Sequence, residues 1–312
     1  MKILLTGATG YIAQRLLPVL LEGGHEVVCC VRDQYRFNRE HFSSAKLSVI
    51  EADFLQPESL QEIPTDIDVA YYLIHSMSTT GDFTSLEATA AQNFTKAISK
   101  TRAQQVIYLS GIVNEKHLSR HLRSRQNVEG ILASGMVPLT TLRAGIIVGS
   151  GSASFEIIRD LVEKLPLMIA PRWLHTACQP IAIRNVIEFL SGVLLRPETF
   201  GNSYDIGGPD ILSYKQMLLQ FAQVRGLKRR IFVVPVMTPR LSSYWLYFVT
   251  STSYTLARNL VDSMKVEVVC TPNNLAALLG IQLIPYKKAI ALAFDKIEQN
   301  EVVSSWKDAL TS

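Results

Sequence analysis

The chain has 312 residues, 48% hydrophobic and 19% charged, with a formal net charge of +4 from 31 basic and 27 acidic side chains. That composition excludes a disordered chain, and the absence of a long like-charge block argues against a nucleic-acid groove. Four cysteines, two of them the neighbours Cys29-Cys30, form neither a disulfide framework nor a zinc set.

The first element is the most telling. Lys2-Ile3-Leu4-Leu5-Thr6 runs as a short apolar strand into Gly7-Ala8-Thr9-Gly10-Tyr11-Ile12-Ala13 and on into a helical pattern. A strand turning through glycines into a helix builds an anion site, because free amides at the helix N-terminus and the helix dipole both face a pyrophosphate. Gly7 permits the tight turn, Gly10 lets the backbone approach the phosphates, and the small Ala13 lets helix and strand pack closely. Thr6, Gly7, Thr9, Gly10, Tyr11 and Ile12 are therefore expected to bind a dinucleotide. Since this strand begins at Lys2, no leader is expected and the protein is expected to be cytoplasmic.

Apolar runs with the look of buried parallel strands follow at Glu26-Val31, Leu47-Glu51, Val69-Ile74, Gln105-Leu109 and Leu139-Arg143, with helical patterns between them. This alternation predicts an α/β fold, a Rossmann-type doubly wound parallel sheet with ligands at the carboxyl ends of its strands. Cys29 and Cys30 then point to opposite faces of the second strand as small buried hydrophobes. The second strand ends Val31-Arg32-Asp33. Arg32 offers a planar charged fork suited to the 2′-phosphate of NADP, whereas Asp33 could repel that phosphate or hold the ribose hydroxyl of NAD. NADP is the expected cofactor, with NAD the alternative.

After Gly149-Ser150-Gly151-Ser152 the regularity fades into a helix (Phe155-Leu165), a Pro-rich aromatic loop (Pro166-Pro180), a helix (Arg184-Leu195) and a short strand near Ser203-Ile206. We divide the chain into a nucleotide-binding domain, 1–150, and a smaller, irregular C-terminal substrate or lid portion, 151–312. The helix after Ile183 is free to pack back on the first sheet. Arg172 and Trp173 are pocket candidates, although Trp173 serves equally well as core. Between Arg240 and Arg258 lies an uncharged span with Tyr244, Trp245, Tyr247, Phe248 and Tyr254. It is too short and too rich in hydroxyls to span a membrane. A helical lid or packing surface is the first reading, and contact with a membrane surface the second.

The opening motif, Glu51-Ala52-Asp53-Phe54, Tyr71-Tyr72-Leu73-Ile74-His75-Ser76-Met77, Tyr108-Leu109-Ser110-Gly111, the 149–156 run and Gln179-Pro180-Ile181-Ala182-Ile183 together resemble an atypical short-chain dehydrogenase/reductase. The chain is similar in these motifs to a bacterial group related to the NmrA-like and complex I accessory-subunit branches. The resemblance implies that Asp53 contacts the adenine, beside Phe54, and that His75 and Ser76 line the cofactor, with Met77 in the substrate pocket. A carboxylate or hydroxyl at a strand end serves equally to cap the next turn.

Such enzymes use a Tyr-x-x-x-Lys pair and a serine after strand 5, because the phenol moves a proton while the lysine tunes it and holds the ribose. Here the resemblance puts Ser110 at the serine position, His121 at the tyrosine and Arg125 at the lysine. Imidazole titrates near neutrality and shares a helix face with Arg125, but that cation would keep it mostly neutral. His117 and His121 lack a third ligand, so no metal is expected. The implied activity is an NADP-dependent oxidoreductase with an altered dyad, acting on an apolar carbonyl, enone or quinone-like small molecule. The alternative is a non-catalytic NADP-binding sensor or scaffold. A monomer is favoured.

Overall fold

The computed structural model describes residues 1–39, 42, 44–74, 83–113, 120–234 and 264–298, with side chains left out for 120, 121 and 296–298. Seven strands form the central sheet: β1 (Lys2–Thr6), β2 (Glu26–Val31), β3 (Leu47–Glu51), β4 (Val69–Tyr72), β5 (Gln105–Gly111), β6 (Leu139–Ala144) and, after four short strands, β11 (Ser203–Ile206). Their order is β11-β6-β5-β4-β1-β2-β3, and every neighbouring pair is parallel. The order reverses between β1 and β4, the place where such a sheet opens a crevice at its carboxyl edge.

The inner strands β1, β2 and β4 are apolar at consecutive positions because both faces are covered. Ile3, Leu5, Val27, Cys29 and Tyr71 face the helices α1 (Tyr11–Glu22) and α5 (Ile183–Gly192). Leu4, Val28, Cys30, Ala70 and Tyr72 face α2 (Phe83–Ile98) and, with Val128 and Leu132, α3 (Arg120–Ala133). The adjacent cysteines thus enter opposite layers, and all four cysteines are free thiols.

The strand after Val69 ends two residues earlier than its apolar run suggests. The buried Thr6 hydroxyl donates to Tyr71 O at 2.9 Å and accepts from Leu73 N at 3.1 Å, so the side chain takes over the bond a longer strand would have made. β5 runs two residues further than expected, paired through Gly111 with Ala144.

Residues beyond 150 return to the first sheet. Tyr71 Oη donates to Leu190 O at 2.8 Å, and the fully buried Gln105 bonds Val193 O at 3.0 Å and Leu195 N at 2.7 Å. A separate layer is built from α4 (Ala153–Lys164), α6 (Tyr214–Val224) and α8 (Tyr286–Glu298), with α7 (Leu275–Leu278) short and packed on the first cluster. Short strands β7 (Ile147–Val148) and β10 (Ile181–Ala182) pair, as do β9 (Ala177–Cys178) and β12 (Leu212–Ser213), and β8 (Leu167–Pro171) with β13 (Arg230–Val234). Ser213 opens α6 with a reciprocal cap, its hydroxyl accepting from Gln216 N while Gln216 accepts from Ser213 N.

Candidate functional site: a glycine turn at the sheet reversal

The turn after β1 lies at the reversal between β1 and β4. Gly7 has φ +63°, and a Cβ there would stand 2.7 Å from Leu73 O, so both backbone conformation and space demand glycine. Gly10 donates to Gly7 O at 2.8 Å, and a Cβ on it would reach that oxygen at 3.0 Å. Gly10 is the N-cap of α1 and supplies no side-chain bond, so no side chain caps the first amides of the helix. Ala8 and Ala13 are buried beneath the turn and Thr9 is exposed on it. The Thr6 hydroxyl is turned into the sheet.

Tyr11, the first residue of α1, points its phenol inward. Its Oη is buried without a hydrogen-bond partner among the described residues, and burial pushes its pKa up to about 12. The Arg15 guanidinium lies 5.1 Å over the ring and donates to Ser150 O at 2.8 Å and Ser150 Oγ at 3.1 Å. That loop is itself ordered: Gly151 N donates to Glu156 at 2.9 Å, and Ser152 caps α4 by accepting from Phe155 N. Sequence reading found the 149–152 glycines but not their partner, Arg15. The i, i+4 spacing of Tyr11 and Arg15 was the available signal.

At the end of β2, Arg32 is exposed with no bonded partner among the described residues. Asp33, the rival for the ribose, turns its carboxylate to Tyr35 N at 2.9 Å and caps the following turn. Asp53 accepts from Leu55 N at 2.9 Å, the capping role weighed against adenine contact, and its second carboxylate oxygen has no bond among the described residues. The Phe54 ring is core, 5.6 Å from Phe94, and its carbonyl accepts from Asn93.

Ser110 and Arg125 come together at the carboxyl end of β5. Ser110 is 2% exposed, and its Oγ has no hydrogen-bond partner among the described residues. Arg125 reaches across from α3 to donate to Leu109 O at 3.4 Å, and Tyr108 Oη donates to Arg125 O at 3.5 Å. Burial raises the Tyr108 phenol's pKa, opposed by the Arg125 charge and by the neighbouring Ser110 hydroxyl. His121 stands one helical turn before Arg125 on α3; its side chain lies outside the described residues, as do His75, Ser76, Met77, His117 and the uncharged span after Arg240. A bond unforeseen from sequence joins the two helices here, Ser124 donating to the buried Glu87 of α2.

Trp173 belongs to the second layer, its ring edge-on to Tyr214 at 6.2 Å and its Nε1 buried without a partner among the described residues. With Ile157, Met168, Tyr214, Met217 and Met264 it lines an apolar cavity of about 30 Å³. Arg172 is exposed. No group of three metal-ligating side chains occurs among the described residues, and none of their helices is long and apolar enough to cross a membrane.

The glycine turn, uncapped helix and strand order are those of a dinucleotide-binding Rossmann sheet. Residues 7–138 match the NAD(P)H-binding family. The fold is shared with Citrobacter triphenylmethane reductase, 18% identical over 95% of this chain and 100% of that one, TM-score 0.75; a second structure of that reductase is complexed with NADP(H). It is shared also with UDP-glucuronic acid 4-epimerase from Bacillus cereus, in complex with UDP-glucuronic acid and NAD, at 17% identity, 96% and 100% coverage and TM-score 0.69. A nucleoside-diphosphate-sugar epimerase from Staphylococcus aureus gives 15% identity, 93% and 99% coverage and TM-score 0.73. No curated protein matches the sequence. Residues 7–138 therefore form an NAD(P)H-binding region, carried on a Rossmann-type α/β fold.

Proposed function

We propose that the protein is an NADP-dependent oxidoreductase of the atypical short-chain type, acting on an apolar carbonyl, enone or quinone-like substrate. The observation that carries this reading is Ser110, a buried hydroxyl beside the Tyr108 phenol, at the same edge of the sheet as the glycine turn. A hydroxyl at that edge can donate to a substrate oxygen. The amides of Tyr11 and Ile12 would hold the pyrophosphate, with Gly7 and Gly10 making the room, and Arg32 would take the 2′-phosphate. Asp33's engagement with Tyr35 N supports NADP, because the competing carboxylate is already used. Bound nicotinamide supplies the hydride.

The residues of the chain supply the rest. Ser110 fixes the substrate oxygen, Arg125 holds ribose hydroxyls, and His121 or water returns the proton. Arg125 cannot itself lose a proton. The triphenylmethane dyes on which the Citrobacter reductase acts support an apolar substrate. One observation favours the second reading, a non-catalytic NADP-binding sensor or scaffold: α3 holds neither tyrosine nor lysine.

Calorimetric titration with NADPH and then NADH, repeated on Arg32→Ala, tests the cofactor; tighter NADPH binding that weakens in the variant is expected. Turnover of an enone and quinone panel is then measured. Loss of turnover in His121→Ala with NADPH binding intact supports the enzyme, whereas NADPH binding without turnover of any panel member supports the sensor.

A further inference from the structure

Strands β8 and β13 form a parallel ribbon in which Leu167 pairs with Arg230, Met168 with Ile231 and Ile169 with Phe232. Met168, Ala170 and Ile231 are buried in the second layer. On the opposite face Leu167, Ile169 and Phe232 are 53%, 52% and 55% exposed. Parallel strands are ordinarily covered on both faces. This ribbon is apolar on both and covered on one, and three large side chains side by side make a patch, not scattered exposure.

The exposed charges on the ribbon itself and at the end of β8 have one sign. Lys228 and Arg230 are exposed where β13 begins, and Arg172 is exposed just past the end of β8. None of these three side chains has a carboxylate partner among the described residues. Of the acids on the neighbouring α4, Glu163 is paired with Arg225 at 3.3 Å and Asp160 with Lys164 at 3.1 Å. The sequence leaving β13 continues the character: from Ile231 to Ala257 its one charge is Arg240.

An apolar centre inside a cationic rim matches the headgroup boundary of an anionic bilayer, where apolar side chains enter the interface and each nearby cation adds attraction. A second copy of the chain fits worse, since stacking this face on itself brings the cations together. We propose that the outer face of the β8–β13 ribbon, Leu167, Ile169 and Phe232 rimmed by Arg172, Lys228 and Arg230, docks the protein on an anionic membrane surface. The contact is peripheral. It is independent of the oxidoreductase reading, because none of these residues except Arg172 enters a candidate substrate site.

The test is flotation of the full chain with vesicles of phosphatidylcholine alone or with about a third phosphatidylglycerol. The parent is expected to float with the anionic vesicles and far less with the neutral ones. Arg230→Gln should lower partitioning about fivefold at low salt, the worth of one surface cation. Ile169→Ser combined with Phe232→Ser should lower it about tenfold or more, with an unchanged circular dichroism spectrum. A parent that stays unbound with anionic vesicles overturns the proposal. So does a double variant that floats as well as the parent, or a vesicle-independent dimer that the double variant splits.

Discussion

Tyr11 and Gly149 occupy one another's space: a Cβ on Gly149 would stand 2.5 Å from the Tyr11 phenol oxygen and 2.5 Å from Ile183 Cγ2. The nucleotide helix is thereby seated in the loop that opens α4, and Arg15 fastens it there. Gly149→Ala should cost about 1–3 kcal/mol of stability through overpacking. Tyr11→Phe alone should be neutral or mildly stabilising, because the oxygen it removes is buried without a partner among the described residues. Urea unfolding of both single variants and the double variant checks the pair; part of the alanine penalty should vanish when the oxygen is absent.

Two left-handed glycines separate conformation from space. Gly24 has φ +81°, and a Cβ there meets only Lys46 Nζ at 3.7 Å, whereas the Cβ of Gly7→Ala runs into a carbonyl at 2.7 Å. Gly24→Ala should cost about 1 kcal/mol and leave nucleotide binding intact. Gly7→Ala should cost more and abolish NADPH binding in a calorimetric titration. Equal behaviour of the two variants would remove the close approach of β1 and β4 as the reason for Gly7.

Glu129 ties α3 to the sheet, accepting from Arg143 at 2.6 and 3.1 Å and from Ser203 Oγ at 2.7 Å. Glu129→Ala strands a half-buried guanidinium, and its partial exposure keeps the loss to about 2 kcal/mol, below that of a fully buried pair. Thermal unfolding of Glu129→Ala measures it. Glu129→Gln, which still accepts hydrogen bonds, should lose less.

Burial pushes the thiols of Cys29, Cys30, Cys178 and Cys270 up from 9.0 to about 12. Above pH 9 the unfolded chain releases these protons while the folded chain keeps them, so their contribution is complete below pH 9 and is lost as pH rises toward 12. Denaturation midpoints should fall across that alkaline window. The native thiols should resist alkylation at neutral pH and react fully in urea.

The sheet was legible because most of its strands are written as apolar runs, and the glycine turn because few other local sequences serve that geometry. Leu47–Glu51 and Ser203–Ile206 fall where the pattern puts them. What escaped are contacts between residues remote in sequence. Nothing around Thr6 says that its hydroxyl ends β4, and nothing near Arg15 says that it reaches Ser150. Asp33 shows the same limit at short range: a carboxylate after a strand reads equally as a ribose ligand or a turn cap, and only the position of Tyr35 N decides which bond it makes here.

Because Gln105 and Tyr71 find their buried partners at Leu190, Val193 and Leu195, and β6 finds its outer neighbour at Ser203–Ile206, the nucleotide sheet is unfinished until the ribosome has passed that point. A nascent chain stopped at residue 150 would expose the apolar flank of α1 and leave β6 as a raw edge. A piece of this protein that completes the sheet must therefore reach at least β11, some fifty residues beyond the glycine loop that Arg15 fastens.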